Sequence, residues 1–401
     1  MINERMYKLG SSRSEIRELF EYGRKRKAEI GEENVFDFSL GNPSVPCPEE
    51  VNEALSALIK SENPINLHGY TPAPGDDKVR MAIAEHITKQ HGFEVSKDNL
   101  YMTVGAAAAL CCALSALVCP GEEVILLAPY FPEYKVFVEQ ANAIIKVVRC
   151  NEDTFEPDAC TVADAITEKT AAIIVNSPNN PSGAVYSEEC IMAIARVLEE
   201  KSKEYGKSIY LIADEPYREL VYDGAYVPFI PKYYDNTVVC YSYSKSLSLP
   251  GERIGYCLVS PKADECDAVY SAVCGAGRSL GYVCAPSLLQ KVVPYCLHLT
   301  SDIGIYDKNR QLLLTELTSY GFELVKPQGA FYLFIKSPLS DARSFSEVAK
   351  RFELLIVPSD SFGCPGYARI SYCVKTEQIT RALPAFKALA EHLKLTEKNN
   401  G

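Results

Sequence analysis

The sequence predicts an α/β fold with a mostly parallel central sheet, helices on both of its faces, and a smaller α+β domain built from both chain ends. In the middle of the chain, short segments rich in β-branched residues alternate with longer segments of helical periodicity. Strands separated by helices favour a parallel sheet that is covered on both sides. Each end of the chain instead combines amphipathic helices with isolated strand-like segments. The 401 residues, of which 47% are hydrophobic, correspond to two or three domains of about 150 residues each.

Seven strands are expected in the central sheet. They share apolar, β-branched or aromatic runs of four to eight residues, and they are Asn99–Val104, Glu123–Ala128, Ala143–Val148, Ala171–Asn176, Ile209–Ala213, Thr237–Tyr243 and Ile254–Val259. Helical periodicity is clearest over Ala107–Val118 and over Glu188–Tyr205, where Ser187 is a plausible N-cap. In such sheets ligands bind at the carboxyl ends of the strands. The residues that follow each strand are therefore the candidates for function.

The two ends of the chain carry a different pattern. Residues 13–30 predict an amphipathic helix, and a long helix with Leu312–Leu314 near its middle is expected after about residue 290. The remaining elements expected at the C-terminal end are the strands Ala330–Ile335, Leu354–Val357 and Ala368–Tyr372 and a closing helix over Ile379–Leu395. We therefore predict a large domain over residues 48–288, a small domain from residues 1–47 and 289–396, and a disordered tail over 397–401.

The composition argues against several classes of function. Lys and Arg total 41 against 52 Asp and Glu, a net charge of −11, which is repelled by nucleic-acid phosphates and by anionic lipid. No nucleic acid or membrane partner is therefore expected. The fifteen cysteines are scattered without a CxxC pair, which favours reduced thiols over a disulfide framework or a metal site. The same cysteine pattern predicts no metal. Since the N-terminus lacks the apolar core of a signal peptide, the sequence also predicts a cytoplasmic protein.

The strongest chemical motif is the segment YSYSKS at residues 241–246, which is followed by Arg253. Its lysine, Lys245, comes just after an apolar strand. Burial lowers the pKa of a lysine, and a neutral amine can attack a carbonyl to form a Schiff base. The serines, Ser242 and Ser244, and Arg253 offer the hydroxyl donors and the bidentate cation that a bound phosphate needs. A loop lysine beside a turn is the alternative explanation of this segment.

A second motif begins with Asp214, at the point where another apolar strand ends. Burying a carboxylate costs free energy unless it meets a cation, and a protonated pyridine nitrogen would be such a partner. The phenol of Tyr217 could donate to a ring oxygen of the same ligand. Alternatively, Asp214 caps the next helix, with Pro216 in its first turn.

Three further segments suit the same kind of ligand. Asn180 follows a strand within an Asn-Pro turn, and its amide could reach a ligand oxygen. The small residues 105–108 lie between a strand and a helix, where free backbone N–H groups bind anions. Arg369 lies within an apolar strand and calls for an anion such as a carboxylate. An ordinary turn, a tightly packed Ala-rich helix and a solvent-facing arginine on an edge strand are the respective alternatives.

Together these motifs describe a planar pyridine that carries a phosphate, an aldehyde held as an imine, and the carboxylate of an amino acid. In their order along the chain, from the loop at Gly41 and the segment at Tyr70 to Arg369, the motifs resemble those of the fold-type I, class I/II pyridoxal-phosphate-dependent aminotransferases of the aspartate-aminotransferase-like kind, over essentially the whole chain. The resemblance implies pyridoxal 5′-phosphate as the coenzyme and a homodimer with shared active sites. It also implies transfer of an amino group between an L-amino acid and a 2-oxo acid by a ping-pong mechanism.

The resemblance further implies a role for each matching residue. Lys245 would hold the coenzyme as an internal aldimine and then act as the general acid and base, with Asp214 on the pyridinium nitrogen and Tyr217 as the third catalytic residue. The residues expected to bind the coenzyme are Gly105, Ala106, Ala107, Phe131, Asn180, Asp214, Tyr217, Ser242, Ser244, Lys245, Arg253 and Tyr70, the last by reaching the phosphate in the partner subunit's site. The residues expected to bind the substrate are Gly41, Asn180 and Arg369.

The chain departs from the family pattern in two places. It has no tryptophan, so Phe131 is expected to stack on the coenzyme, with Tyr130 as the alternative. The segment Ala106–Ala108 lacks the hydroxyls that some relatives place under the phosphate, which leaves more of the binding to backbone donors. Whether Arg278 contacts a distal carboxylate of the substrate stays open.

The same residues also suit a carbon–sulfur β-lyase, or another elimination or decarboxylation enzyme of this fold. The reaction depends on which bond at the α-carbon is held perpendicular to the ring, and the binding residues alone do not fix that bond. A catalytically idle coenzyme-binding regulator is the alternative from another class, although no basic helix-turn-helix segment precedes residue 40.

Overall fold

The computed structural model describes residues 2–11 and 14–395; the predicted tail over 397–401 lies outside them. Numbered in chain order, the strands of the described residues are β1 Phe36–Asp37, β2 Leu100–Thr103, β3 Glu123–Ala128, β4 Ile144–Arg149, β5 Thr170–Asn176, β6 Tyr210–Asp214, β7 Thr237–Ser242, β8 Gly255–Val259, β9 Leu324–Val325, β10 Tyr332–Lys336, β11 Leu354–Leu355, β12 Val357–Pro358 and β13 Tyr367–Ser371.

The helices surround these strands and account for much of the remaining chain. In chain order they are α1 Glu4–Ser11, α2 Glu15–Ile30, α3 Glu49–Ser61, α4 Pro64–His68, α5 Asp77–His91, α6 Ala106–Leu117, α7 Glu133–Gln140, α8 Ala159–Ala165, α9 Glu188–Tyr205, α10 Tyr243–Ser246, α11 Cys266–Ser279, α12 Ser287–Cys296, α13 Ile303–Ser319, α14 Ala342–Lys350 and α15 Thr376–His392. Among the described residues, we find no helix with the length and apolar character needed to cross a bilayer.

The central sheet has seven strands in the order β2-β8-β7-β6-β5-β3-β4. Only β8 runs against its neighbours, being antiparallel to β2 and β7, and the other pairings are parallel. The mostly parallel sheet predicted from the sequence is therefore confirmed. All seven predicted strands end within one residue of the observed ends.

Both faces of this sheet are covered by helices, as predicted. Along β3, Ile125 and Leu127 pack into a core with residues of α5, α9 and α12. The alternate residues Val124 and Leu126 pack on the other face with residues of α6, α7 and α11. Because successive side chains of a strand point to opposite faces, the unbroken apolar runs noted in the sequence mark strands that are buried on both sides.

The two chain ends meet in smaller sheets. An antiparallel sheet has the order β12-β13-β10-β9, and β1 pairs in parallel with β11. The predicted single strand Leu354–Val357 is wrong in one respect, since the chain changes sheets at Ile356. Leu354–Leu355 pairs with β1, whereas Val357–Pro358 pairs with β13. The division into a large domain over 48–288 and a small domain from both ends stays a prediction.

Candidate active site

A cleft of about 510 Å³ lies at the carboxyl ends of the central strands and is also lined by residues of the small antiparallel sheet. Twelve of the predicted site residues line it together: Gly41, Ala106, Ala107, Phe131, Asn180, Asp214, Tyr217, Ser242, Ser244, Lys245, Arg253 and Arg369. Segments that are far apart in the sequence therefore form one site, as the rule on strand ends predicts.

Asp214 ends β6 and is buried at 6% exposure. Its Oδ2 accepts a hydrogen bond from the hydroxyl of Tyr134, and Nδ2 of Asn176 donates to its backbone carbonyl at 2.9 Å. Its Oδ1 is buried without a hydrogen-bond partner among residues 2–11 and 14–395. Burial raises the pKa of this carboxyl group to about 7. An unpartnered carboxylate oxygen at a cleft wall calls for a donor or a cation from a ligand.

Tyr134, which the sequence reasoning did not single out, is the protein's own partner of Asp214. It lies in the first turn of α7 and is 1% exposed. Its ring also packs edge-on against Phe131, with 5.7 Å between the ring centroids. Tyr134 is the second residue of α7 and follows Phe131 by three positions, so the spacing of the two rings was the only signal in the sequence.

Lys245 lies in the short helix α10, directly after β7. Its Nζ donates a hydrogen bond to the carbonyl of Gly41 at 2.6 Å. Burial lowers the pKa of this amine to about 8, and the charges of Arg253 and Arg369 act in the same direction. With that pKa about one tenth of the amine is neutral at pH 7, compared with about one in 3,000 for an ordinary lysine. The amine is thus prepared to act as a nucleophile.

Four groups of the kind that bind anions lie beside the lysine. Gly105 caps α6 with φ +92°, and the first turn of that helix lines the cleft with its free N–H groups. The Oγ atoms of Ser242 and Ser244 lie 2.7 Å apart, and Nη1 of Arg253 lies 3.5 Å from the second of them. A Cβ at Gly105 would come within 2.8 Å of Nη2 of Arg253. A glycine is therefore needed for the guanidinium to lie this close to the helix start.

Arg369 lies on β13 and is buried at 2% exposure. Its Nη1 donates to Oδ1 of Asn180 at 3.0 Å, and its Nη2 donates to the carbonyl of Ser39 at 2.6 Å. Its Nε has no hydrogen-bond partner within the described part of the chain. Because β13 lies between β10 and β12, the alternative of an edge-strand arginine facing water is wrong. The buried guanidinium is held by neutral groups and is available to an anion.

Three aromatic residues on the cleft wall, Tyr217, Tyr332 and Phe131, complete the arrangement. The hydroxyl of Tyr217 lies 2.9 Å from that of Tyr332, a residue that the sequence reasoning missed. Of the two candidates for stacking on a coenzyme, Phe131 lines the cleft. Tyr130 is 3% exposed and packs under Gly363, where a Cβ would lie 2.6 Å from its ring. The geometry therefore favours Phe131.

The other predicted residues lie away from the cleft wall. Gly105 lies just behind it, against Arg253. The side chain of Tyr70 is 98% exposed, and Arg278 lies in the last turn of α11 with an exposed side chain.

The first turns of α2 contribute Ile16, Arg17 and Phe20 to the cleft, which the sequence pattern of an amphipathic helix did not indicate.

Comparisons with known proteins give the family of this chain. A family model described as aminotransferase class I and II matches residues 33–386. A probable aspartate/prephenate aminotransferase of Thermus aquaticus is 32% identical over 357 residues, which cover 87% of this chain and 89% of that protein. An aspartate aminotransferase of Thermotoga maritima is 30% identical over 374 residues, covering 92% of this chain and 95% of that protein.

Solved structures give the same result. An amino transferase from Eubacterium rectale has a TM-score of 0.96 and 54% identity, and the match covers 98% of this chain and 99% of that one. The aspartate aminotransferase of Thermus thermophilus with maleate has a TM-score of 0.84 and 28% identity, covering 97% of this chain and 99% of that one. The predicted fold and the predicted transamination are thereby confirmed, and this chain belongs to the class I and II aminotransferases.

Proposed function

We propose that this aminotransferase uses pyridoxal 5′-phosphate and moves an amino group between an L-amino acid and a 2-oxo acid through Lys245. One observation carries the proposal: the amine of Lys245, with its lowered pKa, and the unpartnered Oδ1 of Asp214 line the same cleft. An amine prepared to react with an aldehyde and a carboxylate that needs a cation fit the two ends of this coenzyme.

The cleft residues fit the coenzyme group by group. Oδ1 of Asp214, which lacks a partner in the described residues, would hold the pyridinium nitrogen, and Phe131 would lie against the ring. The first turn of α6, with Ser242, Ser244 and Arg253, would hold the phosphate. The hydroxyl of Tyr217 and the amide of Asn180 would donate to the 3-oxygen of the ring.

The residues of the chain then divide the work of the reaction. When bound, the coenzyme supplies an electron-withdrawing ring that accepts the electron pair left behind when the α-proton is removed. Nζ of Lys245 takes that proton from the substrate as a general base. It then delivers the proton, as a general acid, to the carbon two bonds away, which completes a 1,3-proton shift. The negative charge of Asp214 would keep the ring nitrogen protonated, so that the ring continues to withdraw electrons. Arg369 and the loop at Gly41 orient the substrate carboxylate.

Replacing Arg369 with alanine tests the carboxylate clamp. Hydrogen bonds to charged groups contribute about 1.5–3 kcal/mol each, so the loss should lower kcat/KM by at least about tenfold for amino acids and for oxo acids alike. The absorbance of the bound coenzyme should persist, because Arg369 is not among the residues proposed to hold it. Steady-state kinetics on both half-reactions check this. An unchanged kcat/KM for every substrate would exclude the role, and Arg196→Ala on the surface of α9 is the matched control.

The lowered pKa of Lys245 predicts a pH dependence for coenzyme uptake. Only the neutral amine attacks the aldehyde, so the rate should rise about tenfold per pH unit below pH 8 and level off above it, given a pKa of about 8. Stopped-flow absorbance after mixing the apoenzyme with pyridoxal phosphate measures this rate. A rate that keeps rising tenfold per unit up to pH 10 would mean that the amine has its ordinary pKa.

The substrate pair is proposed from the relatives, which include aspartate aminotransferases. Aspartate or glutamate is our proposal for one substrate. The deciding experiment mixes the purified holoenzyme with each amino acid in turn and follows conversion of the coenzyme to its amine form. Conversion by a dicarboxylic amino acid, reversed by the matching oxo acid, is the expected result. Release of pyruvate and ammonia from a cysteine-type substrate without an oxo acid would instead identify a β-lyase.

We also propose a homodimer with shared sites. Tyr70 is 98% exposed and Ile65 is 80% exposed, and both lie near one another in the sequence. A second subunit would cover these side chains and bring Tyr70 to the phosphate in the partner subunit's site. The cytoplasm as the place of action remains part of the proposal, on the basis of the sequence.

A further inference from the structure

Tyr332 connects three groups of the proposed site, although no motif in the sequence marked it. It begins β10 and is 3% exposed at the wall of the cleft. Its hydroxyl lies 2.9 Å from that of Tyr217. Its ring lies against the guanidinium of Arg369, whose Cζ is 4.6 Å from the ring centroid. A Cβ at Gly41 would come within 2.1 Å of the hydroxyl, so the chain keeps a glycine where this phenol lies.

Counting protons decides the direction of the bond between the two phenols. A phenol has one proton to donate. Burial raises the pKa of Tyr217 well above its usual value and that of Tyr332 to about 12, so both keep their protons at neutral pH. If Tyr217 donates to the 3-oxygen of the coenzyme, it has none left for Tyr332. Tyr332 must then donate to Tyr217.

We propose that Tyr332 is a positioning residue whose hydroxyl orients and strengthens the donor of Tyr217, while its ring holds the guanidinium of Arg369. The inference rests on the proposed function, because it concerns the coenzyme oxygen and the substrate carboxylate. Its two parts use different atoms of one side chain. A donor–donor chain polarises each member and strengthens the last bond, and an aromatic face attracts a cation that lies over it.

The hydroxyl is tested with Tyr332→Phe, which keeps the ring. A hydrogen bond to the 3-oxygen stabilises negative charge there and lowers the pH at which the bound chromophore loses its proton. Weakening that bond should therefore raise the midpoint of the absorbance titration by about 0.3 to 1 pH unit. Tyr217→Phe should raise it further, and Tyr217→Phe with Tyr332→Phe should match Tyr217→Phe alone, because the second hydroxyl acts only through the first.

The ring is tested by comparing Tyr332→Phe with Tyr332→Leu. The phenylalanine variant keeps the aromatic face and should leave KM for the amino acid within about twofold. The leucine variant loses that face, and KM should rise about three- to tenfold. Thermal unfolding of both variants establishes that they are folded. If Tyr332→Leu does not fold, the absorbance titrations of Tyr332→Phe and Tyr217→Phe still test the inference.

Tyr234→Phe is the matched control. Its hydroxyl is also buried and donates to the carbonyl of Ile209, away from the cleft, so the titration midpoint should not move. A Tyr332→Phe midpoint equal to that of the wild type, or a shift that adds fully to that of Tyr217→Phe, would overturn the inference. A wild-type protein without a pH-dependent coenzyme band would instead overturn the proposed function, and the two failures are therefore distinguishable.

Discussion

Replacing Lys245 with alanine should lower kcat for transamination by about a thousandfold or more. General acid–base catalysis alone contributes about 10²- to 10⁴-fold, and this variant also loses the nucleophile that would bind the coenzyme. The protein should still fold, because within the described residues the only hydrogen bond of this side chain is to the carbonyl of Gly41. Single-turnover kinetics with the amino acid identified in the half-reaction screen measure the effect.

Lys201→Ala is a suitable control for this variant. Lys201 lies on α9 and pairs with Glu204 at the surface, so its loss should leave kcat unchanged. Turnover of Lys245→Ala at the wild-type rate would show that the assignment of this lysine is wrong. The absorbance of the coenzyme provides an independent check. The band of the lysine-bound form should be missing from Lys245→Ala and present in Lys201→Ala.

Replacing Asp214 with asparagine should have the second largest effect, a fall in kcat of about 10²- to 10³-fold, comparable to the loss of one preorganised hydrogen-bond donor in other enzymes. Asparagine has nearly the same shape but carries no charge to keep a pyridine nitrogen protonated. Next to that cation the carboxyl group should stay ionised even though burial raises its pKa to about 7. The measurement is the rate of the first half-reaction, followed by the loss of the coenzyme band.

The variant Tyr134→Phe provides a milder comparison with Asp214→Asn. Tyr134 donates to Oδ2 of Asp214, so its loss removes one neutral partner and leaves the charge in place. We expect its effect on the half-reaction to be well below that of Asp214→Asn, on the order of tenfold, the value of one hydrogen bond. A rate for Asp214→Asn within threefold of the wild type would contradict the proposed role of the carboxylate.

The sequence alone predicted the architecture well because the strands of a buried parallel sheet are continuous apolar runs. Where such a run ended in a charged residue, as at Asp214 or just before Lys245, the cost of burying charge marked the residue for attention. The rule that ligands lie at the carboxyl ends of strands then placed both residues at one edge. Arg369 was found in the same way, as a charge inside an apolar strand.

The supporting residues could not be found in this way. The chain has 25 tyrosines, and a tyrosine within an apolar segment is compatible with any core. Only the tertiary structure brings Tyr134 to Asp214 and Tyr332 to Tyr217. The contribution of α2 to the cleft has the same cause, since its amphipathic pattern predicts a buried face but not what that face lies against. The change from one sheet to another at Ile356 could not be predicted either, because it depends on pairing with β1 near the N-terminus and with β13 near the C-terminus.

The hydrogen bonds of Arg369, the proposed carboxylate clamp, also constrain how the protein matures. Arg369 reaches Asn180 across 189 residues and Ser39 across 330 residues of sequence. Each doubling of loop length adds only about 0.6 kcal/mol to the cost of closing the loop, but contacts between such distant segments slow folding. A polypeptide still attached to the ribosome, with residue 369 not yet made, can contain the strands that carry the reactive lysine and still have no means of gripping an amino acid. On the proposed role of Arg369, the chain therefore gains its carboxylate clamp only after residue 369 has been made.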